Sequence, residues 1–191
     1  MSIDNPQTPL EMKLSGLTLL TRNDLENVPQ EFLPMPVLSD NVRSFVSWGI
    51  KAHEKGSYNH FMWMTHPGML ASQNLLYQSQ SVKDYVDTYR LKLWYCKTWT
   101  PEQRHGIIKS IEANLNESWY KRLDDIPAIV GQFFNQPWIH IPGLDICSDK
   151  GKFLKLGDPS YDLYHPDPEQ VNNWMMKCPD HYAVYGRYLP D

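Results

Sequence analysis

Two residues in this chain have the types and local settings of a nucleophile and its base. His60 opens an apolar run after Ser57-Tyr58-Asn59, and Cys147 stands in Asp145-Ile146-Cys147-Ser148, where a helix is predicted to begin. The thiolate, not the thiol, attacks a carbonyl carbon, and a helix N-terminus favours its negative charge. With Asp145 as the candidate N-cap, Cys147 falls in the first helical turn. An imidazole within hydrogen-bond reach would stabilise the thiolate and later protonate the leaving group. The chemistry implied is cleavage or transfer at an amide or ester. Each residue also has a commoner role, the free cysteine as a small buried hydrophobe and the strand histidine as a satisfied core residue. His66 is the rival base, but it precedes Pro67-Gly68 and is expected to project from a turn. Cys96 and Cys178 lack comparable surroundings and read as structural.

The elements that must position this pair follow from periodicity. Met35–Leu38 is a strand candidate, and Val42, Phe45, Val46, Gly49 and Ile50 fall at helical spacing over about 41–54. His60 to Met64 reads as a strand, Pro67-Gly68 as a turn, and Met69 to Tyr77 as the returning strand of a hairpin. Tyr89 to Lys97 alternates Leu91, Leu93 and Tyr95 against Arg90, Lys92 and Trp94, which predicts a third strand with one wetter face. Thr100, Pro101 and Gln103 form a capping box that starts a helix with Ile107, Ile108, Ile111 and Leu115 as its apolar stripe. Another helix is predicted from Asp124 or Asp125, an extended lead-in over 138–142, a helix from about Asp145, and a last one from Asp167 through Trp174. The expected class is α+β, a small antiparallel sheet packed with helices.

Composition narrows the partners. A net charge of −4 and a pI near 5.9 leave no basic footprint for nucleic acid. Three cysteines cannot build a disulfide framework, which fits a reducing compartment. No apolar run is long enough to cross a bilayer, so no integral membrane contact is expected, and Met1 to Pro6 has neither the basic start nor the apolar core of a signal peptide. Synthesis in the cytoplasm is therefore expected, with later association with a virion as the alternative location. There is no His-Glu-x-x-His, no Cys-x-x-Cys and no Gly-rich phosphate loop, so neither a metal nor a cofactor is expected. Residues 1–15 read as an extended arm and 16–191 as one domain, its core at about 35–157. The arm and the tyrosine-rich tail, Tyr182, Tyr185 and Tyr188, are the candidate contacts for a protein partner.

In the order of these parts the chain resembles the circularly permuted papain-like hydrolases, relatives of the NlpC-type peptidoglycan peptidases and of lecithin–retinol acyltransferase. Ser47 to Ile50, Tyr58-Asn59-His60, Pro67-Gly68, Tyr120 and Cys147-Ser148 stand where that family has its helix, histidine strand, turn, tyrosine and Cys-Ser helix start. The resemblance implies a permuted papain-like topology, with Cys147 as nucleophile, His60 as general base and then acid, and the backbone N–H of Cys147 in the oxyanion hole. Where some members carry Glu or His on the strand after the base, this chain has Met69-Leu70-Ala71-Ser72-Gln73, and Gln73 takes the orienting role with Ser72 next. Tyr58, Trp63, Ser72 and Ser148 are the implied substrate-binding residues. The implied substrate is an amide in a peptide or peptidoglycan stem. The alternative is a degenerate module of the same fold, a structural or binding component of a larger assembly such as a phage virion.

Overall fold

The computed structural model describes residues 18–41, 57–125, 127, 141 and 145–190. Its centre is one six-stranded antiparallel sheet in the order β4-β3-β2-β1-β5-β6. The strands are β1 (Met35–Asn41), β2 (His60–His66), β3 (Met69–Asn74), β4 (Leu76–Ser81), β5 (Tyr89–Cys96) and β6 (Tyr182–Tyr188). The α-helices are α1 (Arg22–Glu26), α2 (Pro101–Leu115) and α3 (Pro168–Met176), and a 3₁₀ helix spans Cys147–Leu156. The α+β expectation holds, with a larger sheet than the three-stranded cluster expected.

Both faces of the sheet are buried, and strand parity decides which residue serves which face. Leu38, Phe61, Trp63, Ala71, Trp94 and Cys96 form one face, packed with Ile107 and Ile111 of α2, Phe153 and Leu154 of the 3₁₀ helix, and Val171 and Met175 of α3. Met35, Val37, Met62, Met64, Leu70, Leu91 and Leu93 form the other, covered by Leu20, Leu25, Leu33, Val82, Tyr85 and Val86. This explains why the apolar run of β2 does not alternate: every residue from His60 to Thr65 is buried. Each large side chain so buried contributes roughly 1.5–3 kcal/mol. Pro36 is tolerated in a central strand because the β5 ladder begins only at Val37.

Three expectations are corrected by tertiary contacts. The strand expected over Met69 to Tyr77 is two strands, broken at Leu75, whose φ is 64°. A left-handed leucine costs about 1 kcal/mol. It persists because its N–H donates to Asp124 Oδ2 at 2.6 Å while the Asp124 N–H donates back to its carbonyl at 2.9 Å. The wetter face of β5 is not wet: Lys92 is fully buried, donating to Asn172 Oδ1 at 2.9 Å with its ammonium 4.5 Å from the Trp94 ring. Asp145 does not cap the 3₁₀ helix. It pairs with Lys150 and Lys152, while Asp149 Oδ2 accepts from Ile146 N at 2.9 Å.

The local expectations stand at the Thr100 capping box and at the helix start at Asp167, where a second box forms. Thr100 N donates to Gln103 Oε1 and Gln103 N to Thr100 Oγ1, and Asp167 and Gln170 repeat the exchange at α3. The tyrosine-rich tail is β6, paired with β5 from Tyr182 to Tyr188. The helices expected over 41–54 and after Asp125, the extended stretch 138–142 and the arm 1–15 lie almost entirely outside the described residues. No helix among the described residues is long and apolar enough to cross a membrane.

Candidate functional site

The sheet separates the two residues on which a cysteine–histidine site depends. His60 has the parity of Met62, and its Nε2 lies 2.9 Å from Ser72 Oγ. Ser72 pairs with Met62 across β2 and β3 and is on the same face. Cys147 opens the 3₁₀ helix, which lies against the opposite face: Trp63 Nε1 donates to the Lys150 carbonyl at 2.8 Å, and Phe153 and Leu154 pack into that core. The expected pairing of His60 with Cys147 is therefore not made, because each is committed to a different side of the same strands.

Around His60 the side chains form a closed polar chain. Ser72 Oγ sits between His60 Nε2 and the Tyr85 hydroxyl, 2.6 Å away. The Tyr85 oxygen is also 2.6 Å from Gln80 Oε1 and accepts from Asn74 Nδ2 at 2.8 Å. Ser72 is fully buried, His60 is 7% exposed and Tyr85 is 2% exposed, so no substrate carbonyl reaches the serine. Burial lowers the His60 pKa from 6.5 to about 4 and raises that of Tyr85 to about 12. The imidazole is therefore neutral at physiological pH, and the hydrogen bonds tie β2, β3 and Tyr85 together on the second face.

Around Cys147 the polar groups are clamps. Gln73, on the Cys147 side of β3, donates its amide to the carbonyls of Asp145 at 3.0 Å, Leu123 at 3.1 Å and Arg122 at 3.4 Å. Three carbonyl acceptors fix which end of the amide is nitrogen. They also commit Gln73 to joining β3 to the chain before Cys147, so it does not orient His60. Ser148 is fully buried and donates its hydroxyl to the Pro166 carbonyl. Beside it Asp149 meets His165 Nδ1 at 3.0 Å, with His165 held at a φ of 43°. Lys150 and Lys152 outweigh the burial that would raise the Asp145 carboxyl, and hold it below the usual range. Cys147 itself is half-buried.

The expected substrate-binding residues are interior. Trp63 and Ser72 are fully buried and Tyr58 nearly so, 5.7 Å under the Lys92 ammonium. With Ser148 they are parts of the core rather than the wall of a cleft. Tyr120 is 53% exposed on the short helix Trp119–Arg122. Sequence reasoning missed Tyr85, Asn74 and Gln80, which have no spacing signal because β4 was not foreseen. It also missed the Asp149–His165 pair, whose partners are 16 positions apart. No group of three or more metal-ligating side chains occurs among the described residues.

Comparison with known proteins finds no match: no family model, no curated protein and no solved structure is similar to this chain.

Proposed function

We propose that this protein is a non-catalytic module of permuted papain-like type, a binding or structural component of a larger assembly. What supports the kinship is the order of parts: a histidine strand, its returning strand, a helix, and a Cys-Ser pair opening a helical segment packed on that same hairpin. What carries the non-catalytic reading is one observation, the placement of His60 with Ser72 on the sheet face opposite the Cys147 helix. An imidazole activates a thiol only within hydrogen-bond reach of it, and His60 is committed to the other face.

The test is site-resolved alkylation of Cys147 by iodoacetamide across pH, on the wild type and on His60→Gln. The expected profile is unchanged in the variant, with slow labelling below about pH 8.5, the ordinary thiol value. Rapid labelling well below that pH, lost in His60→Gln, would overturn the reading and restore a cysteine amidase acting on peptide or peptidoglycan amides.

A further inference from the structure

We propose that a recess at the start of α2, remote from Cys147, binds the carboxyl-terminal residue of a peptide chain, its α-carboxylate on Arg104 and its apolar side chain on Trp99. The recess encloses about 530 Å³, and Leu33, Trp99, Ile108, Glu31, Arg104 and His105 are among its walls. That volume is in the range of small-ligand sites, which combine apolar walls with a few convergent polar groups. Its place is set by Trp99, which packs on Gly157 just past the end of the 3₁₀ helix, whereas Cys147 is at the other end. At about 2 Å of rise per residue the two ends are roughly 20 Å apart.

Arg104 is the reason to expect an anion. Its Nη1 donates to the carbonyls of Phe32 and Leu33 and its Nη2 to that of Cys96. Those bonds hold the guanidinium rigid but use neither Nε–H nor the second Nη2–H. Among the described residues no carboxylate forms an ion pair with it. Burial pushes the guanidinium pKa down, as expected of a cation desolvated against neutral dipoles. A planar, fixed and uncompensated fork is suited to a carboxylate, whose two oxygens match its spare N–H groups. The Trp99 ring, 5.9 Å from the guanidinium carbon, and Leu33 and Ile108 supply an apolar bed next to it. Gln30, also at the wall, offers an amide to pair with a peptide group. Glu31 is exposed there and opposes the anion, so the site favours a terminal residue whose only negative charge is its α-carboxylate.

The test is titration of the whole chain, by NMR, with N-acetyl-Gly-Phe, with the same dipeptide as its C-terminal amide, and with 3-phenylpropanoate. The expected result is a saturable shift of the Arg104 Nε–H and of the Ile108 amide with the dipeptide acid. The amide should bind at least about tenfold more weakly and 3-phenylpropanoate several-fold more weakly. Glu31→Gln, at an exposed position, should tighten the acid about two- to threefold without affecting the amide. Arg104→Lys, which keeps the charge but loses the fork, should abolish the preference for acid over amide. Equal affinity for acid and amide, or no shift at Arg104 and Ile108 up to about 20 mM acid, would overturn the proposal. Equal binding of 3-phenylpropanoate would overturn its peptide part. Since Glu31→Gln does not disturb the carbonyl clamp, a misfolded Arg104 variant leaves the test intact. None of these outcomes depends on the reactivity of Cys147.

Discussion

Acid should unfold this protein in part through His60, and the size of the effect follows from its burial. The unfolded imidazole titrates near 6.5, whereas in the folded chain burial holds it at about 4. Between those values the unfolded state binds a proton that the native state refuses, so stability falls as pH falls. The stabilisation is fully present above 6.5 and is lost as pH drops through about 4. At about 1.36 kcal/mol per pH unit, the gap amounts to about 3 kcal/mol. Asp124 acts in the opposite sense. Burial raises its carboxyl from 3.8 to about 6, so what it contributes is largest in acid and is lost as pH rises through that value. The informative quantity is therefore the difference between the wild type and His60→Gln, in which the Asp124 effect cancels. Urea unfolding at pH 7 should show the variant less stable by about 1–2 kcal/mol, from the altered bond to Ser72. By pH 4 that deficit should vanish or reverse, the wild type having lost about 3 kcal/mol more. At a typical urea slope for a domain of this size this is a midpoint shift of roughly 1–2 M. Titration of the His60 ring protons by NMR checks the same inference directly. Parallel loss of stability in the two proteins down to pH 4, or a ring that titrates near 6.5, would refute the burial argument.

Two further outcomes probe the other side of the sheet. A Cβ at Gly157 would lie 2.2 Å from Trp99 Nε1, so Gly157→Ala should destabilise by about 1–3 kcal/mol in urea unfolding and change the near-ultraviolet signal of Trp99. An unchanged midpoint would mean that the contact relaxes freely. Gln73→Met keeps the side-chain length but removes the side-chain donor to the carbonyls of Leu123, Arg122 and Asp145, of which Asp145 keeps the Asp125 N–H. It should cost about 2–3 kcal/mol and speed amide exchange at Ile146 and Cys147, and a cost below about 0.5 kcal/mol would show that water replaces the amide.

What the sequence determined by itself is whatever is decided within a few residues. The boxes Thr100/Gln103 and Asp167/Gln170 are local exchanges of donor and acceptor, readable as letters three apart and worth about 1 kcal/mol each. The apolar run after His60 likewise reads as a strand, and the structure buries it on both faces. Tertiary structure decided the rest. The turn at Leu75 carries no glycine and exists because Asp124, 49 positions later, holds both its backbone groups. Lys92 reads as a solvated residue and is buried because Asn172 and two aromatic rings meet it there. The separation of His60 from Cys147 has the same cause. A one-residue change of register would bring His60 to the other face, and local propensity is blind to that choice. It is made by what each face packs against: Ser72 and Tyr85 draw His60 to one side, while Trp63 and Lys150 seat the Cys147 helix on the other.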